Sequence, residues 1–248
     1  MRFLLTLLLG LAACWPAAAA EVRVLTAGAY KGVATRIAAD FEKRTGHKVV
    51  IKNDTAGGVA RRIEAGEAFD VVVMPPARMA PLLGNRLESS SAKPLARSGI
   101  GVAIKPGTPA PDLSSVESWK QALLAAPSIA YVDPASGGTS GVYLAGLFER
   151  MGIADQLRGK TVLVKGGLVA EKLVSGEAAL AMQQISELMA VPGVIVVGPL
   201  PLDAQSYTIY AGAISAAASD RAAAEALMLA FSDPATFPVL QKLGLDAP

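Results

Sequence analysis

Residues 22–74 read VRVLTAGAYKGVATRIAADFEKRTGHKVVIKNDTAGGVARRIEAGEAFDVVVM, and this stretch decides the fold class. Apolar, β-branched runs typical of buried strands alternate here with segments whose apolar residues fall on one helical face. The strand-like runs are 22–25, 49–51 and 69–74, and the helix-like segments are 33–42 and 59–65. This β-α-β-α-β order predicts an α/β fold with a parallel sheet and right-handed crossovers.

A second α/β pattern follows the strand-like run 98–104. Its predicted strands are 129–132, 162–164, 179–183 and 194–197, and its predicted helices are 118–125, 142–151 and 169–175. An extended segment over 205–213, an alanine-rich helix over 221–232 and a short helix over 237–243 end the chain, and the first unit is their natural packing partner. The chain would then cross between the units near residues 100 and 203, and two crossings make a hinge. We therefore expect lobe one to comprise 21–100 plus 203–248, and lobe two 101–202.

Composition excludes several classes of protein. The 248 residues are 52% hydrophobic and 18% charged, which suits a globular core and excludes a disordered chain. The 23 basic and 21 acidic residues form no basic stripe, so no nucleic-acid partner is expected. We expect a monomer.

The first twenty residues are typical of an export signal. A positive start at Arg2 precedes an apolar run over 3–13, and small residues at 18–20 fit cleavage after Ala20. The sequence thus predicts a signal peptide over 1–20 and a periplasmic protein. Cys14 leaves a second interpretation open, because the residues before it also resemble the site of lipid attachment in bacterial lipoproteins. If Cys14 is removed with the signal, the mature chain has no cysteine for a disulfide or a thiolate nucleophile.

Four loops at predicted strand ends carry the chemistry of an anion site. They are 26–30, 54–58, 136–141 and 183–187, and two lie in each unit. Ligands of open α/β sheets bind outside the carboxyl ends of strands. Glycines allow close backbone approach, and free N–H groups at helix starts attract negative charge. Any one of these loops could be an ordinary helix cap, and the glycine-rich stretch 137–141 is the most specific.

The chain resembles the molybdate-binding-protein-like group of periplasmic solute-binding proteins. The stretches that carry the resemblance are VLTAGA at 24–29, EAGEAFDVVV at 64–73, Asp133-Pro134 with the glycine-rich turn after it, and VSGEAAL at 174–180. The resemblance implies a two-lobed type II binding-protein fold that serves an ABC uptake transporter and its membrane permease. It places ligand contacts on Ala29, Thr55, 139–141 and Gln184.

Two departures from this family pattern bear on the ligand. Molybdate binders carry serine in the first loop, where this chain has Ala27, Gly28 and Ala29, and tyrosine where Gln184 stands. Gln183 and Gln184 can both donate and accept hydrogen bonds, so we expect a small organic carboxylate rather than a molybdate-type oxyanion. The predicted ligand-binding residues are Ala29, Tyr30, Thr55, Gly58, Arg61, Gly138, Thr139, Ser140, Gly141, Gln183 and Gln184.

An enzyme is the alternative, because some members of this group are similar to a periplasmic aconitate isomerase. Such an enzyme moves a proton between carbons of a tricarboxylate and needs a base in the cleft. His47 is the only histidine and lies in a predicted turn. Asp133 and Glu187 are possible bases near the predicted loops, but we interpret Asp133 as a turn residue and Glu187 as a residue that caps a helix or pairs on the surface. We therefore assign no catalytic residue, metal site or cofactor from the sequence.

Overall fold

A computed structural model describes residues 19–248. The core of the predicted signal peptide and Cys14 lie outside the described residues. Nine strands and ten α-helices occur in this part of the chain. The strands are β1 (Glu21–Ala27), β2 (Lys48–Asp54), β3 (Val71–Met74), β4 (Lys93–Ile104), β5 (Ile129–Val132), β6 (Thr161–Val164), β7 (Leu180–Gln184), β8 (Ile195–Pro199) and β9 (Tyr207–Ile214). The helices are α1 (Lys31–Thr45), α2 (Ala56–Glu64), α3 (Pro76–Met79), α4 (Val116–Ala125), α5 (Thr139–Arg150), α6 (Ala154–Arg158), α7 (Glu171–Val174), α8 (Ile185–Met189), α9 (Arg221–Ser232) and α10 (Phe237–Lys242).

The strands follow the order β2-β1-β3-β9-β4-β7-β5-β6, and β8 also pairs with β4. Pairing is parallel where a helix connects the strands, as in β1 with β2 and β3 and in β5 with β6 and β7. β9 runs antiparallel to β3, and β4 runs antiparallel to β7, β8 and β9. The predicted α/β class is confirmed.

β4 carries the chain from one half of the sheet to the other. Residues 93–99 pair with β9 and residues 100–104 pair with β7. The chain returns between β8 and β9, where the side chain of Gln205 accepts a 2.9 Å hydrogen bond from the Ile100 N–H and donates one of 2.9 Å to its carbonyl. The two predicted crossings are thus present. We call β1–β3, β9 and residues 93–99 the first half, and residues 100–104 with β5–β8 the second half. The exact bounds of the two lobes stay a prediction.

Each half is buried on both faces of its sheet. Val71 and Val73 of β3 pack into one core cluster with α1 and α9, while Val72 and Met74 pack into another with α2. This explains why the run 69–74 shows continuous apolar character instead of alternation.

A half-buried ion pair between Arg23 and Asp70 anchors the first half. The Asp70 carboxylate is 1% exposed and accepts hydrogen bonds from the backbone N–H and guanidinium of Arg23, and from the N–H and hydroxyl of Ser219. Burial alone would raise the pKa of Asp70, but these hydrogen bonds outweigh it and lower that pKa to about 2. The pair joins β1 to the start of β3 and to the turn before α9.

Three short helices, α3, α6 and α8, were not anticipated from the sequence. Each has four or five residues, which is too few to show a helical period. α8 is the most important of the three for the cavity described below, because it follows β7 directly and most of the fourth predicted loop is therefore helical. None of the helices in residues 19–248 has the length and apolar character needed to cross a membrane.

Candidate functional site

A cavity of about 610 Å³ lies between the two halves, at the carboxyl ends of β1, β2, β5 and β7. All four predicted loops contribute to its wall. Further wall residues come from the loop after β6, from α1 and from the C-terminal segment after α10. The strand-end principle therefore located the cavity, although it gave only part of the lining.

Seven of the eleven predicted residues line this cavity. They are Ala29, Thr55, Gly138, Thr139, Ser140, Gln183 and Gln184. The fold thus brings all four predicted loops, which are far apart in sequence, to the wall of one cavity. Whether these residues bind a ligand stays a prediction.

The other four predicted residues are not in the cavity wall. Tyr30 is fully buried because residues 28–30 form a 3-10 turn, and its ring packs edge-on against Phe231 at 5.7 Å. Gly141 lies against the backbone of Val132, and Gly58 lies against the Asp54 carboxylate. Arg61 is exposed and donates a 3.2 Å hydrogen bond to the carbonyl of Ser136. These positions serve packing or loop contacts in this structure and do not line the cavity, and their assignment as ligand-binding residues stays an untested prediction.

The N-terminus of α5 opens into the cavity. Gly138 is the N-cap residue and supplies no side chain, so the first N–H groups of this 12-residue helix have no side-chain cap. Among the described residues, the hydroxyls of Thr139 and Ser140 have no hydrogen-bond partner, although Ser140 is only 2% exposed. Uncapped N–H groups, the helix dipole and two available hydroxyls form a favourable environment for an anion.

The two glutamines are engaged within the protein. The Gln183 side chain accepts a 2.8 Å hydrogen bond from the Val169 N–H and donates one of 3.0 Å to the Gly167 carbonyl. In the orientation that satisfies its amide, Gln184 donates to the carbonyls of Gly99 and Ser98 and accepts from the Thr208 hydroxyl. Gln183 thus orders the loop after β6, and Gln184 ties β7 to the crossing strand. This corrects our reason for favouring a carboxylate, because neither amide is free.

Glu187 lies in the cavity wall, as its place in the fourth predicted loop suggested, and not in the surface role that we preferred for it. α8 places its carboxylate against Gly28, where a β-carbon would collide with it. Burial raises the pKa of Glu187 to about 8, and a hydrogen bond with Gln183 opposes this only in part. No basic side chain among the described residues forms an ion pair with it. Its position in the cavity wall therefore favours the protonated form of this carboxyl group.

Two neutral hydroxyl groups lie in the same wall. Tyr210 of β9 is 2% exposed, and its pKa is raised well above 10 by burial and by the neighbouring Glu187. The Ser186 hydroxyl is buried without a hydrogen-bond partner in the described chain. Ser186 lies in the fourth predicted loop but was not among the predicted ligand-binding residues, and Tyr210 was missed because nothing in the pattern of β9 marks its position.

The other acidic and basic candidates have structural roles. The Asp133 carboxylate accepts a 2.9 Å hydrogen bond from the Ala135 N–H, which confirms it as a turn residue. His47 stacks on Phe41 and accepts a hydrogen bond from the Ala20 N–H, outside the cavity. Within residues 19–248, no three His, Cys, Asp or Glu side chains are grouped as metal ligands.

The second and third loops touch each other across the cavity. The Gly57 N–H donates a 3.1 Å hydrogen bond to the Gly137 carbonyl, and the Thr55 hydroxyl donates one of 2.6 Å to the Ser136 carbonyl. These contacts, with Arg61, join the first half to the second and close one side of the cavity.

Comparison with known families fits this architecture. A family model described as bacterial extracellular solute-binding protein matches residues 22–246. The chain belongs to this family. Solute-binding proteins of known structure also share the fold: the periplasmic molybdate-binding protein of Azotobacter vinelandii superimposes with a TM-score of 0.75 at 21% identity, over 92% of this chain and all of that one. The predicted family resemblance and the type II binding-protein fold are confirmed.

Two further proteins extend the comparison. An aconitate isomerase from Pseudomonas sp. is 36% identical over 212 residues, which cover 83% of this solute-binding protein and 79% of the isomerase. The structure of PEB3 with bound L-phospholactate has a TM-score of 0.66 at 15% identity and covers 92% of this chain and all of that one.

Proposed function

We propose that this solute-binding protein captures a small organic carboxylate in the cavity between its two halves. The observation that carries the proposal is the N-terminus of α5, which presents uncapped N–H groups and the available hydroxyls of Thr139 and Ser140 to the cavity. An oxyanion group placed there would satisfy these donors and interact favourably with the helix dipole.

An organic anion fits this cavity better than a compact inorganic oxyanion. The first loop offers Ala27, Gly28 and Ala29, which have no side-chain donors, and a space of about 610 Å³ exceeds what one tetrahedral oxyanion fills. The similarity to a protein named aconitate isomerase supports the same ligand class, since aconitate is a tricarboxylate.

Capture by closure is the mechanism that we propose. The ligand would bind the α5 N-terminus in the second half, and the first half would close over it through the contacts of Thr55 and Gly57 with the loop 136–137. The closed protein would deliver the ligand, as a periplasmic monomer, to the permease of an uptake transporter.

A thermal-shift screen of the exported form tests this proposal. The wild type, Thr139→Ala and the control Thr45→Ala would each be screened with carboxylates of one to three charges, molybdate, sulfate and sugars. The Thr45 hydroxyl donates a hydrogen bond to the Phe41 carbonyl, away from the cavity. A ligand at a hundred times its Kd adds about 2.7 kcal/mol to the free energy of unfolding. We expect a carboxylate to stabilise the wild type and Thr45→Ala, and to stabilise Thr139→Ala less. Stabilisation by molybdate alone would contradict the ligand class.

A second candidate function is proton-shift isomerisation of a tricarboxylate such as aconitate. Glu187 is the observation that favours it, because a cavity carboxyl with a pKa of about 8 can both give and take a proton near neutral pH. The carboxylate form would remove a proton from a carbon next to the ligand's double bond, the double bond would shift, and the acid form would return a proton to the distant carbon. Tyr210 and Ser186 could donate hydrogen bonds to the charge that develops. The step needs no other reactant.

Proton NMR of cis- or trans-aconitate with the protein in D₂O distinguishes the two functions. An isomerase would convert one isomer and incorporate deuterium, and Glu187→Gln would abolish both while still binding the ligand. Binding without conversion or deuterium incorporation would leave the chain a solute-binding protein alone.

A further inference from the structure

Two lysines lie in the cavity wall on the side of the first half. Lys31 is the first residue of α1, and Lys242 is the last residue of α10. The two helices pack together, with Leu243 against Gly32. Neither lysine has a carboxylate within ion-pair distance among the described residues. This edge of the cavity therefore carries two unpaired positive charges.

Lys31 lies where the 3-10 turn over 28–30 leads into α1, and the first turn of α1 contains no acidic residue to compensate its charge. Positive charge near the N-terminal end of a helix is disfavoured unless an anion is close. An anion bound beside Lys31 would interact with the ammonium group and with the helix dipole together. Lys242 shares the same edge, at a helix C-terminus where a cation is favourable.

A second electropositive region faces the cavity from the other half. It is the N-terminus of α5, where Ser140 is 98% buried and its hydroxyl has no partner in the described chain. The acidic side chains that line the cavity are Asp54, Glu171 and Glu187. The Asp54 carboxylate already accepts a 2.7 Å hydrogen bond from the Thr55 N–H. The two electropositive regions thus belong to different halves and are supplied by different elements.

We propose that Lys31 and Lys242 are specificity residues that select ligands with two or more separated carboxylates. This inference rests on the proposed function. One carboxylate would bind the α5 N-terminus, and a second would bind the lysine pair, so that a polyvalent anion bridges both halves in the closed state. A monocarboxylate can satisfy only one region and would close the protein less effectively.

Calorimetric titration with crotonate, fumarate and trans-aconitate, which carry one, two and three carboxylates, tests the inference. The proteins are the wild type, the Lys31→Gln/Lys242→Gln double variant and Lys43→Gln, a control on α1 whose side chain is 77% exposed and outside the cavity. Wild type and Lys43→Gln should bind fumarate or aconitate at least tenfold more tightly than crotonate. In the double variant this ratio should fall about three- to tenfold, with crotonate affinity nearly unchanged.

Each remaining outcome has a distinct meaning. If the double variant keeps the wild-type ratio, or if the wild type binds all three acids equally, the inference is overturned while carboxylate binding stands. If the wild type binds none of the three at millimolar concentration, the proposed function fails and the inference fails with it. Should the double variant unfold, the single variants Lys31→Gln and Lys242→Gln provide the test: each should lower the ratio, and wild-type ratios in both would overturn the inference.

Discussion

The hydroxyl of Thr55 donates a 2.6 Å hydrogen bond to the carbonyl of Ser136, 81 residues away in the other half. The same oxygen accepts a 3.0 Å hydrogen bond from the Gly58 N–H and so caps α2. One side chain therefore fixes a helix start in the first half and holds the glycine-rich loop of the second. Two loops that the sequence marked as ligand loops are thus also the place where the halves meet.

Gly57→Ala should disfavour the closed state. A β-carbon at Gly57 would lie 2.9 Å from the Gly137 α-carbon and 3.2 Å from the Ser136 carbonyl, so the loops must separate. Overpacking of this kind costs about 1–3 kcal/mol. We expect a larger radius of gyration by X-ray scattering with ligand present, and a ligand affinity lower by about five- to a hundredfold.

Gly159→Ala is the matched control for that variant. Gly159 has a φ of −70°, and no atom lies within 4 Å of an added β-carbon. Its radius of gyration and affinity should equal those of the wild type. Equal affinities for all three proteins would mean that the contact between the loops does not contribute to binding.

The sequence predicted every helix of nine or more residues among the described residues, and it also predicted the shorter α7 and α10. α1, α4, α5 and α9 each have ten or more residues, and their apolar faces were visible. The strand-end principle then located Thr55, Thr139 and Ser140 correctly at the cavity, because it depends on chain direction and not on side-chain detail.

The sequence analysis misplaced or missed residues whose orientation depends on tertiary packing. Glu187 follows a strand, but only the five-residue α8 turns it toward Gly28. Tyr30 looked available in a loop, but a 3-10 turn directs its ring into the core. Lys242 reaches the cavity only because α10 packs on α1 from the far end of the chain. No local pattern encodes these three outcomes.

Thr139→Ala and Gln184→Ala should separate ligand binding from stability. The Thr139 hydroxyl has no partner in the described chain, so its removal should weaken ligand binding and change Tm little. Gln184→Ala would remove the amide hydrogen bonds to the carbonyls of Ser98 and Gly99 and to the Thr208 hydroxyl in a buried region, at about 1–3 kcal/mol. Urea unfolding and ligand titration of both variants check this; a Gln184→Ala protein of unchanged stability would contradict the assigned amide contacts.

Asp70→Asn should be destabilising at neutral pH. The change removes the charge that Arg23 and Ser219 bind; because the Arg23 side chain is 33% exposed and stays solvated, we expect a cost of about 1–3 kcal/mol from the lost hydrogen bonds to a charged group. The measurement is urea unfolding at pH 7. Asp155→Asn is the control, because its ion pair with Arg158 is 87% and 78% exposed and should contribute about 0–1 kcal/mol.

The Asp70 carboxylate should also make the free energy of unfolding depend on pH in the acid range. Its pKa is about 2 in the folded protein and 3.8 ordinarily, so the stabilisation is fully present above pH 4 and is lost as the pH falls through 2. The difference in stability between the wild type and Asp70→Asn should therefore shrink between pH 4 and 2. A constant difference over this range would show that Asp70 does not titrate with a lowered pKa.

Glu187 should impose the opposite pH dependence. Its pKa is about 8 in the folded protein, against 4.5 ordinarily, so between these values the folded state binds one more proton than the unfolded state. The free energy of unfolding must then fall as the pH rises from 5 to 8. Each pKa unit corresponds to about 1.4 kcal/mol, and we expect a loss of about 2 kcal/mol because solvent in the cavity screens part of the effect.

Glu187→Gln should lack this loss of stability, whereas Glu225→Gln, at an exposed ion pair with Arg221, should retain it. Urea unfolding at pH 5 and pH 8 measures all three proteins. If Glu187→Gln loses as much stability as the wild type over this range, the carboxyl of Glu187 is already ionised at pH 5 and cannot act as an acid at neutral pH.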